Sequence, residues 1–63
     1  MKRIAKERIV EYLTYHVSAD VVGLAENLSV RPQRIRECLT ELLAEGLVMT
    51  EENETGKVYK LKA

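Results

Sequence analysis

Apolar and polar positions along the chain follow a helical period three times, then change to the period of a strand. From residue 2 to about residue 16, Ala5, Ile9, Tyr12, Leu13 and His16 recur at steps of three and four, the spacing of one buried helical stripe. Lys2, Lys6 and Glu7 fall outside the centre of that stripe. Ile4, Glu11 and Tyr15 share a different face, where scattered surface apolar side chains are ordinary. The period breaks at residues 17–20, where Val17 and Ser18 fit a short strand stub and Asp20 fits an N-cap.

A second helix is predicted over Val21–Leu28, with Val21, Leu24, Ala25 and Leu28 on one narrow apolar stripe. Gly23 inside it costs roughly 1 kcal/mol against Ala, which either close approach by a neighbouring backbone or a tolerated weakness explains. Ser29–Pro32 is the turn. Pro32 suits the first turn of a new helix, pushes Arg31 out of helical geometry, and leaves Val30 to fill the space between the helices. The third helix is predicted over Pro32–Glu45 and stopped by Gly46, with Ile35, Cys38, Leu39, Leu42 and Leu43 as its buried stripe. Gln33, Arg36, Glu37 and Thr40 stand opposite that stripe, with Arg34 on its flank. Beyond Gly46 the period shortens: Leu47–Thr50 reads as an apolar strand, Glu51–Gly56 as a polar loop, and Lys57–Lys62 as a second strand. On that last strand Tyr59 and Leu61 share one face, and Val58, Lys60 and Lys62 the other.

These elements define an α+β fold, mainly α, of three helices and a two-stranded hairpin in a single domain spanning residues 1–63. A domain this small buries only about 60% of its unfolded surface, and the hydrophobic fraction of 46% supplies a small core. The single cysteine forms no internal disulfide and points to a reducing, cytoplasmic setting. No apolar run approaches the roughly 18 residues of a membrane span, and charges interrupt the N-terminal apolar residues, unlike a signal peptide.

Net charge is zero but clustered. Residues 31–36 carry three Arg and no acid, residues 37–46 carry three Glu, residues 47–56 carry three more Glu, and residues 57–63 carry three Lys. Such blocks predict one basic face beside acidic ones. Three Arg and a Gln within six residues at a helix start concentrate long hydrogen-bonding side chains in one place.

The order Leu24-Ala25, Leu28-Ser29-Val30, polar turn, Ile35, Leu39, Leu42, Gly46-Leu47-Val48 resembles the DNA-binding segment of prokaryotic winged-helix transcription regulators of the MarR, ArsR and DeoR types. Gly56–Leu61 is similar to the second wing strand of the ArsR type, and Ile9–Leu13 to the first helix of such domains. The resemblance covers nearly the whole chain and implies a winged helix-turn-helix. It further implies sequence-specific binding of double-stranded DNA by a small transcription regulator, with residues 32–45 as the helix that enters the major groove. Two positions depart from the family pattern: Ser29 stands where Gly is common, and Glu51, Glu52 and Glu54 stand at the wing tip where Arg or Lys is common.

In a major groove, Gln33 matches adenine and Arg36 matches guanine, each in bidentate fashion, while Thr40 reaches a thymine methyl or a phosphate. Arg31 and Arg34 flank the helix start, where phosphates lie, and Lys57 and Lys60 offer contact from the wing. Glu37 either accepts from a cytosine amine or steers Arg36. The bland reading of the same residues is a solvated helix face with intrahelical pairs. A lone domain touches few base pairs, so a homodimer on a two-fold site is expected. Its candidate surface is Ile4, Arg8, Glu11 and Tyr15, with the C-terminal strand as a second candidate.

The alternative is a protein-interaction module of the same fold that does not bind DNA, its acidic wing forming part of the contact. Cys38 reads as a small core hydrophobe and His16 as packing. One Cys and one His make no structural zinc site, and Glu51, Glu52 and Glu54 lack the calcium-loop pattern. No cofactor motif or catalytic grouping occurs in the sequence, so an enzyme is not expected.

Overall fold

The computed structural model describes residues 5–54 and 56–62. Helix α1 spans Ala5–Tyr15, α2 Val21–Leu28 and α3 Pro32–Glu45, and they are followed by strands β1 (Val48–Asn53) and β2 (Gly56–Leu61). The second and third helices have the boundaries their apolar periods predict. The first ends one residue earlier than expected, and the expected residues 2–4 lie outside the described ones. With the helix closed at Tyr15, His16 no longer follows its phase. It is exposed rather than part of the buried stripe, and its ring stacks on Tyr12 with centroids 4.0 Å apart.

Local chemistry sets the corners. Asp20 caps α2 by accepting a hydrogen bond from the Gly23 N–H at 2.6 Å, which satisfies one of the helix's orphan donors. The same carboxylate explains Gly23: a Cβ there would sit 2.9 Å from Asp20 Oδ1, so the cap's own side chain is the close neighbour, not a passing backbone. At the other end of α2, Ser29 adopts a left-handed conformation (φ 56°, ψ 45°) and donates its N–H to the Ala25 carbonyl. A side chain resists that conformation, which is why glycine is common at such a position. Pro32 opens α3, and Gly46 (φ 76°) closes it with its N–H directed at the Leu42 and Leu43 carbonyls.

The three helices close on one core. Ile9 and Leu13 come from α1, Leu24, Ala25 and Leu28 from α2, Ile35, Cys38, Leu39 and Leu42 from α3, and Val48 from β1. Burying each large aliphatic among them stabilises the fold by about 1.5–3 kcal/mol. Val30 packs against this cluster from the turn, as expected. Leu43 does not join it and remains 39% exposed. One residue beyond Leu42 turns a side chain by about 100°, out of the face that the other elements close.

β1 and β2 pair antiparallel from Val48↔Leu61 to Asn53↔Gly56. The ladder therefore includes Glu51, Glu52, Asn53 and Gly56, and of the expected six-residue loop only Glu54 stays outside it among the described residues; Thr55 lies outside the described ones. Its polarity misled because β1 buries only Val48, so no alternation marks the strand. Gly56 has the positive φ expected of it, 134°. Tyr59 and Leu61 pack on the core, and Tyr59 exchanges both backbone hydrogen bonds with Ala19, at 3.0 and 2.8 Å. That single bridge, two residues beyond Val17, replaces the expected stub at Val17 and Ser18 and ties the wing to the start of α2. Among the described residues no helix is long and apolar enough to cross a membrane.

Candidate nucleic-acid interface

The buried stripe of α3 decides what its other side presents. With Ile35, Cys38, Leu39 and Leu42 facing inward, Gln33, Arg34, Arg36, Glu37 and Thr40 are all exposed, and exposed Arg31 precedes them. The helix start is uncapped: Arg31 makes no side-chain cap, and the first turn holds no acidic residue. The Ile35 N–H already bonds the Arg31 carbonyl at 3.0 Å, and Pro32 has none to offer. Gln33 and Arg34 thus keep free backbone donors at the positive end of the helix dipole.

Within this face the charges are loosely held. Arg34 lies 3.5 Å from Glu37, one turn along the helix. Glu37 therefore pairs with Arg34 and not with Arg36, the partner in one of the two roles the sequence offered it, because the three-residue step brings Arg34 and Glu37 onto one edge. An exposed pair of this kind contributes little and exchanges readily for another anion. Arg31 and Arg36 have no ion pair among the described residues. The Thr40 hydroxyl donates to the Arg36 carbonyl at 2.9 Å, and the residue is exposed.

The wing behaves differently. Lys60 is half-buried, and its Nζ lies 2.8 Å from the Glu51 carboxylate, whose pKa is held below the usual range by that hydrogen bond and charge. Lys57 is exposed and stands directly opposite Glu52 in the ladder. Of the two wing lysines expected at DNA, one is already engaged and the other neighbours a carboxylate. Exposed Glu54 extends the acidic tip beyond the paired strands.

One positioning contact escapes a reading of the sequence. Lys6 of α1 bridges to Glu45 and to Glu41 (3.4 Å) on α3, and the Glu45 hydrogen bond raises the pKa of its ammonium. The two acids lie four residues apart on one edge of α3, but nothing in the chain pattern names their partner. The bridge links the far half of α3 to α1 at the surface. A shallow cleft of about 560 Å³, lined in part by Val10, Leu42 and Leu47, opens beside it, toward the opposite end of α3 from the arginines.

On α1, Arg8 is half-exposed, Glu11 is exposed and Tyr15 is 80% exposed; Ile4, the fourth residue of the candidate dimer surface, lies outside the described residues. Cys38 is fully buried and unpaired, and burial pushes its thiol pKa up, as befits a core side chain. Among the described residues no group of three or more His, Cys, Asp or Glu side chains could hold a metal.

No protein-family profile and no curated protein sequence matches the chain. Solved structures do match it. A mutant ZitR from Lactococcus lactis, solved in apo form, is similar with a TM-score of 0.86 at 20% identity, over 92% of this chain and 46% of that one. The adhesin competence repressor AdcR of Streptococcus pyogenes is similar with a TM-score of 0.87 at 13% identity, over 95% of this chain and 46% of that one. The Zα domain of Carassius auratus PKZ, solved in complex with Z-DNA, is similar with a TM-score of 0.83 at 17% identity, over 92% of each chain. The chain spans about half the length of ZitR and of AdcR and nearly all of the Zα domain. At such identities the likeness is one of fold, and that fold is the winged helix-turn-helix, three helices followed by a two-stranded wing.

Proposed function

We propose that this chain binds double-stranded DNA as the reading domain of a transcription regulator, with α3 in the major groove. One observation carries the reading: Arg31, Gln33, Arg34 and Arg36 stand exposed on the uncapped first half of a helix whose other side is locked in the core. Arg31, Arg34 and the free N–H groups of the helix start serve phosphates, which orient the domain. Gln33 and Arg36 read base edges, and each lost bidentate contact costs about 1–3 kcal/mol of discrimination. Thr40 offers its methyl to thymine. Lys57 adds a phosphate contact from the wing, whereas Lys60 is held by Glu51. Two copies on a two-fold site, with half-sites about 34 Å apart or a multiple of it, supply the specificity that one helix lacks.

The acidic wing favours a second reading, in which the same fold docks a protein and DNA plays no part. Salt-titrated binding to random duplex DNA separates the two. DNA binding by these arginines gives affinity that falls with salt at a log–log slope of about −0.9 per phosphate contact, and the Arg34→Ala/Arg36→Ala double variant weakens it. An absence of binding at low salt contradicts the DNA reading. Because a Zα domain of this fold is solved with Z-DNA, the titration includes an alternating dC-dG duplex followed by circular dichroism. The major-groove reading expects no left-handed spectrum.

A further inference from the structure

The wing has one edge that the fold leaves open. Tyr59 donates its N–H to the Ala19 carbonyl and accepts the Ala19 N–H on its own, so both of its backbone groups point away from β1. In an antiparallel ladder the two groups of a residue share a side, and the side alternates along the strand. Thr50, which stands opposite Tyr59, therefore turns its own N–H and C=O away from β2, and Val48 and Glu52 do the same. The residues between them close inward, in phase with the Lys62 N–H that bonds the Leu47 carbonyl at 3.0 Å. Among the described residues no strand or bridge lies on the outer side of β1, and Thr50 and Glu52 are exposed. Such an edge is a template for another strand.

We propose that this edge takes up an extended, basic segment of a partner protein, which adds to the wing as an antiparallel strand beside β1. The open backbone makes the site, and the side chains along it choose the occupant. Glu51 is already held by Lys60, but Glu52 and Glu54 have no ion pair among the described residues. A segment running opposite to β1 meets Glu54 first, then Glu52, then Thr50 and Met49. The first two call for Lys or Arg at alternate positions. Thr50 then suits a β-branched neighbour, and Met49, 40% exposed, suits an apolar one. The pattern is basic-x-basic-x-branched-apolar. A second copy of β1 does not supply it, because that strand and its turn bring three carboxylates and no cation.

The pairing uses none of the α3 residues assigned to DNA, so it goes beyond that reading without competing with it. A docked segment sets cations beside the wing carboxylates that repel phosphate, and a partner of this kind would therefore strengthen DNA binding. That consequence rests on the DNA reading; the pairing itself does not.

Amide shifts and amide–solvent exchange of the labelled chain test the pairing, without DNA and at low salt. The probe is the capped peptide Thr-Lys-Thr-Arg-Thr-Val-Ile-Thr, added up to about 2 mM. Shifts should centre on Val48 to Glu52, and the outward N–H groups of Thr50 and Glu52 should exchange about tenfold more slowly in the complex. The N–H groups of Met49 and Glu51 should change little, since they already face β2. N-methylation of the peptide's Val, which faces Thr50, removes a central hydrogen bond and should weaken binding about tenfold. Replacing its Lys and Arg by Glu should do likewise, as should Glu52→Lys in the chain. Binding indifferent to N-methylation is charge attraction alone and overturns the proposal. So does a response centred elsewhere, or none at all. Protection of Thr50 and Glu52 that rises with protein concentration in the absence of peptide marks pairing with a second copy, and overturns it too. None of these failures touches salt-dependent DNA binding by the arginines of α3, and loss of that binding leaves the pairing standing.

Discussion

Lys60 places its ammonium 2.8 Å from the Glu51 carboxylate across the wing, so one of the basic groups expected at DNA is neutralised within its own hairpin. Glu51→Gln removes the charge but keeps the shape. The freed Lys60 then adds about one phosphate contact, making the log–log salt slope steeper by about 0.9 and raising affinity at low salt. Fluorescence anisotropy against a duplex at several salt concentrations checks this. The pair also sets a direction for pH. Glu51 has a lowered pKa when folded, so its contribution to stability is present above its ordinary value of 4.5 and is lost as pH falls through the lower folded value. In Glu51→Gln that part of the acid dependence should vanish from chemical denaturation curves.

Asp20 and Gly23 form a coupled pair at the start of α2. Asp20→Ala removes the cap and should cost about 1 kcal/mol. Gly23→Ala gains about 1 kcal/mol of helix propensity, but in the wild type its Cβ pushes on Asp20 Oδ1 at 2.9 Å and displaces the cap, so the net change should be close to zero. In the Asp20→Ala background that obstacle is gone, and Gly23→Ala should stabilise by about 1 kcal/mol. A double-mutant cycle by urea denaturation measures the difference. Simple additivity would show that the cap does not govern this glycine.

Ser29 holds a left-handed backbone conformation at the corner between α2 and α3. Relief of that strain by Ser29→Gly is offset in part by the greater freedom of glycine when unfolded. The net gain should be about 0.5–1 kcal/mol, read as a higher urea midpoint with an unchanged slope. Ser29→Val, branched at Cβ, should instead destabilise.

The helices were legible in the chain wherever several signals coincided. Asp20, the apolar stripe and the turn at Ser29–Pro32 bound α2, and Pro32 and Gly46 bound α3; both helices have the predicted limits. Legibility failed where a single pattern had to decide. His16 continued the period of α1, but stacking on Tyr12 beyond the helix end won. Glu51, Glu52 and Asn53 looked like loop because a strand exposed on both faces shows no alternation. Within the candidate site, the exposed residues of α3 followed from its buried stripe. The pairings Lys60–Glu51 and Lys6–Glu45 did not, because these partners depend on strand register and interhelix packing that no linear spacing encodes, whereas Arg34–Glu37 follows a three-residue helical step.

Whether α3 is the reading element is best settled by amide chemical shifts of the labelled protein during titration with a duplex bearing a selected site. Shifts should concentrate in Arg31 to Thr40, with a smaller response at Lys57 and little at Glu52 or Glu54. Arg36→Ala should abolish preference for the selected site while leaving weak binding to random duplex. Shifts confined to the wing and α1, or none at all under low salt, would contradict DNA reading by α3.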